Sequence, residues 1–136
     1  MEFAFLEGCA NLDYEQVIGL YRKIGWGCGY SPAALRTAFT QSSFVVAAFL
    51  AGRLAGWARA LSDGVTNTWI TEVVVDPDCQ RKGLGRRLLE SIEKRYAHTA
   101  IWAETYLPTK SFGEKCGLKA RDGMVVVSRG PQTNSP

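Results

Sequence analysis

Residues 73–89 read Val73-Val74-Val75-Asp76-Pro77-Asp78-Cys79-Gln80-Arg81-Lys82-Gly83-Leu84-Gly85-Arg86-Arg87-Leu88-Leu89. A β-branched run comes first, a proline turn stops it, and a basic loop with two glycines opens an apolar-periodic segment. Glycine lets the backbone come close to a ligand, because no Cβ stands in the way. The first N–H groups of a helix have no intrahelical acceptor, and the helix dipole adds partial positive charge to them. Together these features make an anion site suited to phosphate or pyrophosphate. Arg81, Lys82, Arg86 and Arg87 crowd the same turn. The two common nucleotide loops fail on residue identity. There is no GxxxxGK[ST], and Leu88 stands at the sixth position of a would-be GxGxxG.

Working outward, residues 83–96 form the clearest predicted helix, with Leu84, Leu88, Ile92 and Tyr96 on one face and an i,i+4 pair of Glu90 and Lys94 on the other. Upstream, residues 44–50 and 53–61 read as a hairpin around Ala51-Gly52, and residues 68–75 as a further strand. Nearer the N-terminus, residues 3–6 suggest a short strand. Asp13 with Gln16 resembles a capping box before Tyr14, Val17, Tyr21 and Ile24. Ser31-Pro32 caps a second helix with Leu35, Ala38 and Phe39 on its apolar face. Downstream, residues 99–104 suggest a strand, residues 109–116 a short helix and residues 124–128 a last strand. The order is β-α-α-β-β-β-α-β-α-β, a mixed α/β (α+β) domain. One domain over residues 1–129 is expected, with a disordered tail over 130–136.

Composition bounds the function. The chain has 136 residues, 46% hydrophobic and 21% charged, as an ordinary globular domain does. Its net charge of +3 is too small to argue for nucleic acid. No apolar run approaches the ~20 residues of a membrane span, and the N-terminus does not read as a signal peptide, so a cytoplasmic protein is expected. Cys9, Cys28, Cys79 and Cys116 form no CxxC, and the single histidine, His98, offers no obvious co-ligand, so no metal is expected.

The stretch 73–90 resembles the acetyl-CoA motif of the GCN5-related N-acetyltransferase (GNAT) superfamily: a strand, an x-x-Pro turn, then Gln/Arg-x-x-Gly-x-Gly/Ala leading into a helix. Trp57-Ala58-Arg59-Ala60-Leu61-Ser62-Asp63-Gly64 with Asn67 is similar to a branch of small acetyltransferases that includes plastid enzymes acting on arylalkylamines and other amines. The segments Gly25-Trp26-Gly27 and Tyr30-Ser31-Pro32 look similar too.

The resemblance implies a mostly antiparallel sheet of six to seven strands, about four helices and a splayed central pair of parallel strands. It implies acetyl-CoA as cosubstrate, with Val73, Val74, Val75, Gln80, Arg81, Lys82, Gly83, Leu84, Gly85, Arg86 and Phe112 as cofactor-binding positions. An acceptor amine would attack the thioester directly, a small molecule being favoured over a protein. Alkylammonium pKa values near ~10 mean that a proton must be removed. Glu72 and Glu104 are the candidate bases. The other reading of Glu72 is a solvated strand-end carboxylate, and of Glu104 a surface or salt-bridging residue. Many relatives carry a general-acid tyrosine where this chain has Gly113, which leaves Tyr106 as the candidate acid. Trp26, Tyr30 and Trp57 are candidate acceptor-lining residues. Dimers are common in the superfamily, so a homodimer is carried as an expectation. The rival to an enzyme is a non-catalytic acetyl-CoA- or CoA-binding module on the same fold.

Overall fold

The computed structural model describes residues 2–105 and 110–132, with no side-chain description at 110 and 111. These residues fall into two compact units, Met1–Ala103 and Glu104–Pro136.

The first unit is one sheet with helices on both faces. Its elements are β1 (Ala4–Glu7), α1 (Tyr14–Lys23), α2 (Pro32–Thr40), β2 (Phe44–Leu50), β3 (Arg53–Ser62), β4 (Asn67–Val75), α3 (Leu84–Arg95) and β5 (Ala100–Ala103). The strands lie in the order β1-β2-β3-β4-β5. Neighbours are antiparallel except β4 and β5, which run parallel. The expected hairpin forms. Ala51 at φ 50° and Gly52 at φ 81° place both turn residues in the left-handed region that a tight two-residue hairpin demands.

The helix ends follow local chemistry. Asp13 caps α1 by accepting from the Glu15 N–H at 2.9 Å. The reciprocal half of the expected capping box does not form, because Gln16 Oε1 accepts from the Leu54 N–H at 2.8 Å and so ties α1 to the sheet. Ser31 caps α2 through the Ala34 N–H at 3.1 Å, with Pro32 at the first turn. Leu35 and Phe39 are buried as expected, whereas Ala38 is exposed.

Strand alternation assigns the two faces. Val45, Ala47, Trp57 and Val74 pack with Tyr14, Val17, Ile18 and Leu20 of α1 and with Leu35 and Phe39 of α2. Phe5 and Phe44 lie on the opposite face, where Tyr96 meets Phe44 at 6.2 Å and Arg87 lies over Phe5 at 4.0 Å. That face belongs to α3, with Leu84, Leu88, Leu89 and Ile92 buried.

A bulge interrupts the alternation. Arg59 pairs with Glu72 but Ala60 pairs with Ile70, so Thr71 is an extra residue in β4. Glu72 is thereby turned to the α1 side, whereas an unbroken ladder would put it on the same face as Ile70.

The second unit holds α4 (Lys110–Lys115). It ends as glycine allows: Gly117 sits at φ 91°, the Leu118 N–H reaches Gly113 O at 2.9 Å, and the Gly117 N–H reaches Glu114 O at 3.1 Å. The expected strand at 124–128 does not form, so among the described residues the sheet has five strands rather than six to seven. Three consecutive valines favour extended backbone, but a strand exists only where a ladder partner is supplied. Val125 and Val127 instead lie 84% and 85% exposed.

Gly56 is a constraint that the hydrophobic pattern does not reveal. A Cβ there would sit 2.4 Å from the Val74 carbonyl oxygen and 3.2 Å from the Val75 Cα, both backbone atoms. Gly56→Ala should cost about 1–3 kcal/mol by overpacking, read as a lower urea midpoint at unchanged m-value.

Candidate active site

The ladder between β4 and β5 runs from Asn67↔Ala100 to Ile70↔Ala103 and stops there. β4 continues to Val75, held on its other side by β3. The Asp76 N–H donates to Ala55 O at 2.8 Å, so the N–H and C=O of Val74 also face β3, and those of Val73 and Val75 face the open edge. Gln80 Nε2 reaches back to the Val75 carbonyl at 3.3 Å, which leaves the Val75 N–H and both groups of Val73 on that edge.

Beyond β4 the chain makes a short 3-10 turn, Pro77–Cys79, nucleated by Asp76 Oδ1 accepting from the Asp78 N–H at 2.9 Å. Lys23 at the end of α1 bridges Asp76 and Asp78, both at 2.8 Å, and fixes this turn to the helix. Two residues then take the left-handed region, Arg81 at φ 64° and Gly83 at φ 78°. Arginine is not the residue that region favours, so the loop stores local strain of the kind found at ligand-binding turns. α3 starts at Leu84 with Gly83 as its cap and no side-chain cap bond. The N–H groups of Leu84 and Gly85 therefore receive no capping side chain from Gly83. Among the described residues, no atom lies within 4 Å of where a Cβ on Gly83 would stand. The four basic residues divide. Arg87 lies over Phe5 and Arg86 pairs with Glu90 at 3.3 Å, in place of the expected Glu90–Lys94 pair. Arg81 and Lys82 are exposed on the loop.

Glu72, one residue before the open edge, is not a solvated strand-end carboxylate. Its side chain is 7% exposed and carries four hydrogen bonds. Oε2 accepts from Tyr21 Oη at 2.8 Å, Trp57 Nε1 at 2.9 Å and Arg59 Nε at 3.0 Å, and Oε1 accepts from Arg59 Nη2 at 3.0 Å. Burial alone would raise this carboxyl, but the Arg59 hydrogen bonds and charge, with Trp57 and Tyr21, outweigh it and hold the pKa below the ordinary value. A carboxylate held ionised by three donors on Oε2 and one on Oε1 is a weak proton acceptor. Burial, then the Glu72 charge and hydrogen bond, push the Tyr21 phenol far up, so it stays protonated.

The candidate acceptor-lining residues separate. Trp26 and Tyr30 are 51% and 53% exposed, whereas Trp57 is fully buried. Trp57 is therefore corrected from a lining residue to a core residue whose indole N–H serves Glu72. Trp26 stacks on Tyr21 with ring centroids 6.0 Å apart, and Tyr21 meets Trp57 edge-on at 5.1 Å. In the second unit, Glu104 is exposed and Phe112 is 41% exposed. Tyr106 lies outside the described residues.

The acetyltransferase (GNAT) family profile matches residues 26–118. The chain belongs to this family. A chloroplastic serotonin N-acetyltransferase from Oryza sativa subsp. japonica is 32% identical over 111 residues, 75% of this chain and 55% of that protein. A histone acetyltransferase from Glycine max is 32% identical over 94 residues, 60% of this chain and 40% of that protein. The chain thus spans about half the length of these relatives. An aminoglycoside acetyltransferase from an uncultured soil metagenomic sample, solved in complex with sisomicin, shares the fold at a TM-score of 0.72 and 16% identity, covering 96% of this chain and 97% of that one.

The GNAT motif therefore sits where the sequence places it, on the β4–α3 junction. Two residues of the site carried no signal in the sequence. Tyr21 reads as one more apolar position of α1, and Arg59 stands in the β3 stretch with no role assigned to it. Each gains its role only when the fold brings it to Glu72. No helix among the described residues is long and apolar enough to cross a membrane. One of the relatives is chloroplastic by name, whereas the sequence reading expected a cytoplasmic protein.

A depressed folded-state pKa stabilises the fold above the unfolded value of 4.5, and that stability is lost as pH falls through the folded value. Glu72→Gln should cost about 3 kcal/mol at neutral pH, as a broken buried pair does. Its stability should also fall less steeply than wild type as the pH drops below 4.5 in urea titrations.

Proposed function

We propose that this GNAT protein transfers an acetyl group from acetyl-CoA to a primary amine, a small molecule rather than a protein, by direct attack in a ternary complex. The observation that carries this reading is the continuity of the open β4 edge with the uncapped start of α3. The edge suits an extended amide-bearing arm, which would pair with Val73 and the Val75 N–H as an added strand does. The N–H groups following Arg81, with the exposed Arg81 and Lys82, suit a pyrophosphate. Acetyl-CoA, when bound, supplies the activated acyl group as a thioester.

The chain's own residues then position the reactants. Trp26 and Tyr30 offer exposed aromatic surface, which supports an aromatic or aliphatic amine over a polyanion. Proton removal is assigned to Glu104 rather than Glu72, since Arg59, Trp57 and Tyr21 hold the Glu72 carboxylate ionised. The relatives' names differ in acceptor, serotonin for one and histone for the other, so the acceptor class rests on this surface and not on them. The reaction as written uses no metal.

Acetyl-CoA with a panel of aryl and alkyl amines should release coenzyme A thiol in step with acetylated amine. Tight cofactor binding without transfer to any amine would mark a binding module instead. Gly85→Asp should weaken acetyl-CoA at least about 100-fold in calorimetry, by placing a side chain and a negative charge at the pyrophosphate position. Unchanged affinity in a folded Gly85→Asp protein would remove the site from this loop.

A further inference from the structure

Resting on the cofactor reading above, we infer that Lys23 of α1 is a positioning residue for the pyrophosphate, offsetting the negative charge of Asp76 and Asp78 beside the basic loop and so setting the affinity for acetyl-CoA. The turn that leads from β4 into the loop carries two acids, both within five residues of Arg81. The ligand assigned to the loop is itself an anion. Left unmatched, the two carboxylates would oppose the pyrophosphate that Arg81, Lys82 and the start of α3 attract. Asp76 is built into the turn. Its N–H donates to Ala55 O at 2.8 Å, and its Oδ1 accepts from the Asp78 N–H at 2.9 Å. Burial would raise its carboxyl, but the Lys23 hydrogen bond, the Asp78 N–H and the charges of Lys23 and Arg53 outweigh it, so Asp76 stays ionised.

An ammonium has three N–H donors. Lys23 Nζ lies 2.8 Å from Asp76 Oδ1 and 2.8 Å from Asp78 Oδ2, so one cation serves both acids. The two acids and Lys23 carry a net charge of −1, against −2 without the lysine. The basic loop lies within reach of the same charges. Burial first, then Asp76 and Asp78, raise the Cys79 thiol, while Lys23 and Lys82 oppose them. The two acids, Lys23 and Lys82 thus act on one buried sulfur. Lys23 also comes from a different element, so it holds the turn as well as neutralising it. Arg81 follows two residues after Cys79 in the left-handed region at φ 64°, a conformation that persists where its surroundings over-determine it.

Two probes separate this role from a general structural one. Acetyl-CoA carries the pyrophosphate, whereas acetyl-pantetheine carries only the arm for the β4 edge. At low salt, Lys23→Met should raise the acetyl-CoA dissociation constant about 10-fold and leave that of acetyl-pantetheine within about twofold. The acetyl-CoA loss should shrink as salt is raised. Adding Asp78→Asn to Lys23→Met restores the net −1 and should return acetyl-CoA to within about threefold of wild type. The Asp78 side chain is 80% exposed, so that second change disturbs no core. A Lys23→Met protein with wild-type acetyl-CoA affinity overturns the assignment, and so does an equal loss for both probes. A double variant as weak as Lys23→Met overturns it too. Each of these results leaves the cofactor reading standing. Wild-type protein that binds acetyl-CoA no more tightly than acetyl-pantetheine overturns both.

Discussion

The rest of the structure depends on β4 outrunning β5. Their ladder ends at Ile70 and Ala103, and among the described residues five residues of β4 continue with strand pairing on one side only. An unpaired strand edge inside a protein is costly to leave empty, because its N–H and C=O groups must find partners. The chain satisfies part of the debt itself: Gln80 takes the Val75 carbonyl, and the open stretch is kept short by the Pro77 turn. What remains is a directional template that runs straight into a helix start without a capping side chain. Strand edge and helix end are separate devices elsewhere. Here the Asp76–Asp78 turn, pinned by Lys23, makes them continuous.

Holding that edge in place falls to β3. Gly56 allows the close approach to Val74 that lets the two backbones meet, and the Thr71 bulge changes which face Glu72 serves. The buried charge is then matched by Arg59, Trp57 and Tyr21. A buried ion pair adds little net stability over an apolar replacement, but losing one partner is expensive. The cluster therefore favours one arrangement of α1, β3 and β4 over near alternatives, and α1 is the helix that leads into the exposed Trp26.

Features written in neighbouring residues were legible in the sequence. Asp13 and Ser31 cap helices through bonds that span two or three residues, Ala51-Gly52 turns a hairpin, and Gly83-Leu84-Gly85 opens α3. Features that need a partner far along the chain were not. Tyr21 and Glu72 lie 51 residues apart, and nothing in either neighbourhood announces the bond. Trp57 carries the same letter whether it lines a pocket or fills a core, and only the fold decides. The valines at 125–127 carry strand propensity without a ladder to join. The bulge at Thr71 is a matter of register, which a single strand cannot encode.

The most direct test is amide exchange followed by NMR, with and without saturating acetyl-CoA. The account predicts that the Val73 and Val75 amides and the amides of residues 81–86 gain protection together on binding, while those of β1 and β2 hardly change. Acetyl-CoA that binds and leaves the Val73, Val75 and 81–86 amides at their free exchange rates would contradict it.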